Sequence, residues 1–205
     1  TRSTQQLQRA KEWQAPWTHQ NIRLNHQAFY LMCLYCEIMQ KLSAEESLHD
    51  GNQDFDEAQT GLFKVLSNGL FYLDERCREK DFNRHNEVII FLGKLLIDLG
   101  IFPIRDNCVF CDEELSGDGH IYLLSDHGGF SCDDCYNKAN ETNRLYKNAD
   151  GRELWQLLGI IAANRYEDLD KLSCSGAGVV TQLFHFFIYQ FQFHKLDFKT
   201  LDMVL

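Results

Sequence analysis

Apolar residues recur at helical spacing along most of this chain of 205 residues. Within 21–42 they recur every three, four or seven positions, which is the period of an amphipathic helix. The same period predicts helices over 62–73 and 88–99, separated by a charged turn at 75–84. The segment 43–56 is polar and is predicted to be a loop. Three helices are therefore expected in the first half of the chain.

The second half of the chain carries two further helical patterns. Asp150 is placed to accept hydrogen bonds from the first turn of a helix, and Glu153 is placed to reach back toward that cap. A shorter turn is predicted over 166–172. The segment 178–196 has a wide apolar stripe rich in phenylalanine, which predicts the helix at the centre of the core.

The segment 106–136 differs from the helical patterns on both sides. It follows Gly100, which suits the left-handed residue that closes a helix, and Pro103, which cannot extend that helix. It holds four cysteines, and an alternating run at 120–124 predicts a strand. The predicted fold class is mainly α, a helical bundle with a small inserted β-rich four-cysteine zinc module. The predicted ranges are 21–105 and 137–205 for the bundle and 106–136 for the module.

Two CxxC pairs supply the clearest chemistry in the chain. Cys108 and Cys111 form the first pair, Cys132 and Cys135 form the second, and 20 residues separate them. Each CxxC turn can direct two thiolates toward one point, so that two turns complete a tetrahedron around a closed-shell cation. Such a site leaves no position for a substrate. We therefore predict one structural Zn²⁺ whose binding energy stabilises the folded module.

Disulfides, redox pairs and an iron–sulfur cluster are the alternatives for these four cysteines. Asp133 and Asp134 would raise the thiol pKa values of the second pair, whereas reactive thiols need electropositive surroundings. The remaining cysteines lie within or beside apolar helical segments and are Cys33, Cys36, Cys77 and Cys174. The first two also form a CxxC pair, but in a helix they are expected on different faces as core thiols. Free buried thiols indicate a reducing cytoplasm.

The histidines and glycines give no pattern of an active site. His120 and His127 are predicted to lie at the surface or behind the metal ligands, and His185 and His194 in the core or at its boundary. A phosphate-binding loop, a dinucleotide fingerprint and a metalloprotease helix are all missing from the sequence. The protein is therefore predicted not to be an enzyme.

Acidic residues outnumber basic ones by 30 to 20, which gives a formal net charge of -10. General electrostatic adhesion to nucleic acid or to an anionic membrane is therefore not expected. Polar residues interrupt every apolar stretch before the length of about 20 residues that a bilayer crossing requires. Two local basic groups are candidates for nucleic-acid or partner contact, although a solvated charged face is the favoured interpretation of both. They are Arg76, Arg78, Lys80 and Arg84, and Lys138, Arg144 and Lys147.

Two distinctive sequences lead into the cysteine pairs. A helix ending LLIDLGIFP at 95–103 leads into the first pair, and HGGFSC at 127–132 leads into the second. This order of features resembles the RecO family of bacterial DNA repair proteins. The segment 193–201 is similar to the closing helix and short basic and apolar tail of that family. The resemblance covers most of the chain, and its specificity lies in the two sequences that lead into the cysteine pairs.

The resemblance implies a recombination mediator without enzymatic activity. Members of this family act with RecR, displace single-strand-binding protein, help to load RecA onto single-stranded DNA, and anneal complementary strands. Their helical domain docks the acidic C-terminal tail of single-strand-binding protein, which ends in phenylalanine and needs an apolar pocket with a basic rim. The implied location is the bacterial cytoplasm, in association with the nucleoid.

The family usually begins with an OB-fold, which binds single- and double-stranded DNA and is absent from this chain. The resemblance places 1–15 at the exit of that domain, so 1–20 is predicted to be a linker and the chain a fragment or a shortened relative. Most of the DNA affinity is then expected from the missing OB domain. The main alternative is a zinc-ribbon adaptor that binds only protein, and a metal-dependent or thiol enzyme is the third hypothesis.

Overall fold

The fold is mainly helical with one small sheet, in a computed structural model that describes residues 18–49, 55–116, 119–143, 149–194 and 198–204. None of the helices within these ranges is long and apolar enough to span a membrane. The helices are α1 (Gln20–Leu24), α2 (His26–His49), α3 (Phe55–Glu79), α4 (Arg84–Asp98), α5 (Asp133–Asn143), α6 (Arg152–Ala163), α7 (Ala177–Gln190) and α8 (Leu201–Val204). The strands are β1 (Ile121–Leu124) and β2 (Gly129–Cys132), and single 3-10 turns cover Ser125–His127 and Tyr166–Asp168.

The helix predicted over 21–42 is divided into α1 and α2 at Asn25. This residue has an extended backbone, with φ −117° and ψ 107°. Its side-chain oxygen accepts hydrogen bonds from the amides of Gln27 and Ala28, which caps the first turn of α2. Asp74 of α3 accepts from the amide of Ile22 at 3.0 Å and so ties α1 to the bundle.

Much of the predicted loop at 43–56 and of the predicted turn at 75–84 is helical where the structure describes it. Helix α2 continues to His49 and α3 runs from Phe55 to Glu79, while 50–54 lie outside the described residues. Glu, Ala, Leu and Arg dominate these stretches and favour helix even where no apolar periodicity marks it. The prediction of a loop from polarity alone was wrong there. The true break is Lys80 to Asn83, where Lys80 adopts a left-handed φ of 62°.

Helices α4 and α7 share the centre of the core. Residues 88–92 of α4 are all buried, because α2, α3, α6 and α7 pack around that helix. Tyr35 of α2 stacks on Phe91 with ring centroids 3.7 Å apart. Helix α7 contributes buried phenylalanines as predicted, but it ends at Gln190 and not at residue 196. The chain then turns, and Phe198 returns to pack against Phe184 at 5.2 Å.

The cap predicted for α6 differs from the one observed. Asp150 accepts from the amide of Arg152 at 3.0 Å, as the pattern predicts. Glu153, however, does not reach back toward it. Its carboxylate accepts hydrogen bonds from the amide and the hydroxyl of Ser175, both at 2.5 Å. A tertiary partner 22 residues away therefore replaces the local capping box.

A buried ion pair joins α3 to α4. A guanidinium nitrogen of Arg76 lies 2.8 Å from a carboxylate oxygen of Glu87, and both side chains are less than a tenth exposed. Arg76 also donates to the carbonyl of Tyr166, and the hydroxyl of Tyr35 donates to the carbonyl of Glu87. Burial raises the pKa of Glu87 to about 7, although the adjacent Arg76 acts to lower it. The pair fixes the position of the 166–168 turn against the bundle.

We predict that Glu87→Ala lowers the free energy of unfolding by about 3–5 kcal/mol, because it leaves the Arg76 guanidinium buried without its countercharge. The matched control is Glu75→Ala, which removes one of the two carboxylate partners of the exposed Arg78. That change should cost less than about 1 kcal/mol, since water screens a surface pair. Urea denaturation measures both. Equal, small losses in the two variants would contradict a structural role for the buried pair.

Candidate metal centre

The second cysteine pair lies where a strand meets a helix. Strands β1 and β2 are antiparallel, with Ile121 opposite Cys132 and Leu124 opposite Gly129. Cys132 is the last residue of β2, and Cys135 lies in the first turn of α5. The strand predicted at 120–124 is thus confirmed as one arm of a small hairpin. This hairpin presents both thiols at the same end of the sheet.

The first cysteine pair lies in a tight loop that an isolated bridge between Asn107 and Glu114 closes. Within it the amide of Asp112 donates to the carbonyl of Cys108 at 2.9 Å, and Asp112 itself has a left-handed φ of 59°. The loop also bonds to the sheet, since the amide of Val109 donates to the carbonyl of Phe130 at 2.9 Å. Backbone hydrogen bonds therefore hold the first pair beside β2.

A glycine permits this close approach of the loop to β2. A Cβ atom on Gly129 would lie 2.6 Å from the carbonyl oxygen of Ile104 and 2.9 Å from a methyl group of Val109. The Ile104 carbonyl belongs to the backbone and cannot move aside as a flexible side chain could, so a Cβ atom on Gly129 would not fit. The preceding Gly128 has a left-handed φ of 70°, which completes the turn into β2. Each glycine of the HGGFSC sequence is therefore required for a different reason: Gly128 for its left-handed backbone and Gly129 for the close approach of the loop.

The four thiol groups converge at one point. The sulfur atoms of Cys108, Cys111, Cys132 and Cys135 all lie within 4.8 Å of one another. The sulfur atoms of Cys111 and Cys132 are 4.0 Å apart. Four sulfurs at about 2.3 Å from a tetrahedral ion are about 3.8 Å from each other. The group therefore has the donor chemistry and nearly the dimensions that a four-thiolate metal site requires.

Among the four cysteines, Cys108 has the surroundings that most favour the thiolate form needed to bind a metal ion. Its burial would by itself raise the thiol pKa, but hydrogen bonds from the amides of Cys111, Cys132 and Phe110 outweigh that effect and lower the pKa to about 6. Burial is also the largest cause that raises the pKa values of Cys132 and Cys135, and the charge on Cys108 adds to it. A divalent cation at the centre would offset this mutual repulsion among thiolates.

The two histidines between the cysteine pairs are not part of this group. His120 is exposed, and its Nδ1 lies 2.8 Å from a carboxylate oxygen of Asp150. His127 is exposed too, with its Nδ1 3.0 Å from Asp126. The structure therefore places both at the surface, in agreement with the sequence-based expectation. Among the described residues, the group that could hold a metal ion consists of cysteines alone.

A comparison with protein families gives this arrangement its context. The family described as "Recombination protein O C terminal" matches residues 29–177, which is well over half of the chain. The chain belongs to this family. No curated protein and no solved structure matches it. The match runs from α2 through α6, so it covers a large part of the helical body together with both cysteine pairs.

Membership of the RecO family gives the chain a general role in DNA recombination and repair. The resemblance found in the lead sequences 95–103 and 127–132 is confirmed by this match. Each of these two lead sequences ends at, or forms, a structural element beside the four cysteines. The first ends at Pro103, close to the bridge between Ile104 and Gly129, and the second supplies β2.

The basic group before the metal centre is not one continuous surface. Arg76 is buried against Glu87, so its guanidinium does not face solvent with the others. Arg78 is exposed and pairs with two glutamates of its own helix, and Lys80 is exposed at the end of α3. Arg84 is half-buried, with its Nε 3.3 Å from the ring of His85. The interpretation as a solvated charged face therefore fits Arg78, Lys80 and Arg84, but it does not fit Arg76.

The basic group after the metal centre lies only partly within the described residues. Lys138 is exposed on α5. Arg144 and Lys147 lie outside the residues that the structure describes. Their role as contact residues stays a prediction.

Three residues differ from their expected environments. Cys36 is exposed on α2 and is not a core thiol, because α2 turns that side to solvent. His185 and His194 are both exposed, and His185 lines an open cavity beside Tyr189. Helical periodicity predicted the apolar face of α7 correctly, but the aromatic residues beside these histidines had suggested a boundary position for them.

The contact that joins the metal centre to the helical body was not predicted. The indole of Trp155 on α6 donates to the carbonyl of Arg105 at 2.7 Å. The guanidinium of Arg105 lies over the same ring, 4.8 Å from its centroid. These residues are 50 positions apart, and neither belongs to a recognisable sequence pattern. The only sequence signal was an isolated tryptophan on an otherwise ordinary helix.

We predict that purified protein binds one divalent ion per chain and that Cys135→Ser lowers its affinity by more than about a hundredfold, since even residues behind the ligands contribute 10- to 100-fold. Cys36→Ser is the matched control, because Cys36 is exposed and outside the cluster. Elemental analysis and competition with a chelator measure the effect. Equal metal content in both variants would remove the four-cysteine centre as the binding site.

Proposed function

We propose that this chain is the helical and metal-braced part of a non-enzymatic recombination mediator of the RecO type. Together with RecR it assists the loading of RecA onto single-stranded DNA that is coated by single-strand-binding protein, and it assists strand annealing. The observation that carries this proposal is the family match over 29–177. The closed set of four thiolates agrees with a mediator, since it leaves no coordination position for a reaction.

The metal in the proposed function is a single structural Zn²⁺. Four thiolates in a tetrahedral arrangement favour zinc or an iron–sulfur cluster over harder cations. Cys108, Cys111, Cys132 and Cys135 would hold the ion. When bound, it supplies no chemistry beyond a crosslink between the first loop and the β2–α5 junction. Its function is to hold these segments in one arrangement.

In the proposed function this chain supplies little of the DNA affinity, which the OB domain typical of the family would provide. The present chain has 30 acidic and 20 basic residues, and this balance does not favour a phosphate-dominated interface. Among the residues described above, Arg78, Lys80, Arg84 and Lys138 are the accessible candidates for local contacts. Partner docking is the activity that the helical body supports best.

A cavity between α3, α4 and the 166–168 turn has the properties that an acidic, phenylalanine-ending tail requires. Its volume is about 460 Å³. Tyr72 and Ile97 supply apolar lining, and Lys64 and Arg165 stand exposed at its edge. A phenyl ring would fit against the apolar lining while carboxylates of the tail meet the basic rim. The full lining comprises Lys64, Val65, Asn68, Tyr72, Lys94, Ile97, Asp98, Asn164, Arg165, Tyr166 and Glu167.

The walls of this cavity are fixed before any partner binds. The ring of Tyr72 stacks on that of Tyr166, with centroids 5.5 Å apart and planes within 5°. The ammonium of Lys94 donates to the carbonyls of Ile161 and Asn164 at the end of α6. Burial lowers the pKa of Lys94, but three basic and two acidic side chains still line the space. A preformed site reduces the entropy that docking costs.

We expect the full-length gene product, with RecR, to accelerate RecA filament formation on single-stranded DNA coated by single-strand-binding protein. Its DNA affinity should fall with salt, with a slope that steepens by about 0.7 for each phosphate neutralised on single strands. Filament formation and titrations at several salt concentrations measure these effects. No acceleration and no DNA binding would favour the alternative, a zinc-ribbon adaptor that binds only protein.

We expect a peptide from the C-terminal tail of single-strand-binding protein to bind the cavity at α3 and α4. Lys64→Glu and Arg165→Glu should each weaken it roughly five- to tenfold, because each reversal places a like charge beside the acidic tail. Lys171→Glu, on an exposed residue that does not line the cavity, is the control. Isothermal titration compares the affinities. Equal weakening in all three variants would indicate a net-charge effect and not a site.

A further inference from the structure

The negative charge of the chain is concentrated in the metal module. Residues 106–136 contain eight Asp or Glu and no Lys or Arg. The remaining chain has 22 acidic and 20 basic residues and is nearly neutral. A bound divalent ion with four thiolates contributes a further net charge of about −2, so the proposed metal adds to the imbalance. The module is therefore an anionic segment within a nearly neutral chain.

Exposed apolar side chains lie in this module and just before it. We define the knuckle patch as Ile104, Phe110 and His127. Ile104 is 55% exposed and Phe110 is 39% exposed. The rings of Phe110 and His127 meet edge to face, with centroids 4.6 Å apart. Phe110 lies inside the first CxxC turn, where the metal ligands on both sides restrict its backbone.

The backbone that carries the knuckle patch is firmly held. The amide of Ile104 donates to the carbonyl of Gly128 at 3.0 Å, and the carbonyl of Ile104 accepts from the amide of Phe130 at 2.8 Å. Gly128 directly follows His127, so these bonds connect two of the three patch residues. The hydrogen bond from Val109 to β2 positions the third, Phe110. The patch is thus ordered without a partner, which favours docking.

Carboxylates flank the residues of the knuckle patch in sequence. The side chain of Asp106, two residues after Ile104, is 86% exposed and pairs with the guanidinium of Arg105 at 3.2 Å. Asp112, Glu113 and Glu114 follow the first cysteine pair and are exposed as well. Asp126 lies beside His127. An apolar centre with a charged rim is the usual organisation of a protein interface, and here carboxylates predominate over Arg105, which is itself paired with Asp106.

We propose that the knuckle patch docks a basic segment of a partner protein, in which one apolar side chain lies between lysines or arginines. The apolar side chain contacts Phe110 and Ile104, and the flanking cations meet the acidic rim. The same rim repels DNA phosphates and a second copy of this acidic chain. The proposal rests on the module being braced by its metal, and it assigns partner binding to the acidic surface of that module.

The test uses metal-loaded protein and a short synthetic peptide in which a photoreactive phenylalanine analogue lies between two pairs of lysines. Fluorescence anisotropy gives its affinity, and crosslinking maps its position. We expect crosslinks to residues of the knuckle patch or its rim. Glu113→Lys combined with Glu114→Lys should weaken binding roughly tenfold, because two attractive contacts become repulsive. Phe110→Ala should weaken it several-fold by removing the apolar contact.

Matched variants separate a site from a general effect of charge. Asp168→Lys with Asp170→Lys makes the same charge change on exposed residues of another surface, and Phe29→Ala removes a ring that is 42% exposed. Both should leave the affinity unchanged. Equal weakening by these controls, crosslinks elsewhere, or equal binding of a peptide with glutamates in place of lysines would overturn the proposal. If Phe110→Ala loses metal, the double charge reversal decides.

The outcome is separable from the mediator function. The variants Glu113→Lys and Glu114→Lys are expected to retain annealing of bare complementary strands in the full-length gene product. A photoreactive single-stranded oligonucleotide that crosslinks to the knuckle patch in the absence of the peptide would overturn the proposal while leaving mediator activity intact. Loss of RecA loading with unchanged peptide binding would instead count against the proposed function, and the docking surface would stand.

Discussion

The contact between the first cysteine loop and β2 is the interaction on which the metal centre depends. Two short segments 20 residues apart in sequence must approach closely enough for four sulfur atoms to share one ion. A side chain at Gly129 would prevent that approach, and the hydrogen bond from Val109 to Phe130 fixes its register. The amides that point at the sulfur of Cys108 then favour its thiolate. The backbone therefore brings the four sulfur atoms together without help from a metal ion.

The helical body gives this small hairpin a base that it could not supply itself. Ile121, Leu123 and Phe130 belong to the same hydrophobic cluster as the helices α4, α6 and α7. Polar contacts complete the attachment, including the indole of Trp155 on the Arg105 carbonyl and the side chain of Gln190 on the Ser125 carbonyl. A two-stranded sheet is marginal in isolation. Burial against the helices therefore stabilises one side of the hairpin, and the four thiolates brace the other side.

The sequence was informative where a local rule governs the structure. The CxxC spacing predicted the sulfur cluster, the left-handed φ of Gly100 closed α4 as expected, and apolar periodicity predicted the buried face of α7. Sequence patterns failed where a partner distant in the chain determines the position of a side chain. Glu153 bonds to Ser175 and not to its own helix start, and Arg76 is buried because Glu87 lies opposite on another helix. The cavity between α3, α4 and the 166–168 turn likewise has no local signature, since its lining comes from three segments.

The fastening of the C-terminal segment by Glu37 has a consequence for how the protein is made. The carboxylate of Glu37 on α2 accepts hydrogen bonds from the amides of Lys199 and Thr200, across a separation of more than 160 residues. Phe198 enters the aromatic cluster of α7 at the same place. During synthesis α2 leaves the ribosome long before its partner exists. One side of the helical body therefore stays open until residues 198–200 emerge, and closure of this long loop is a late step of folding.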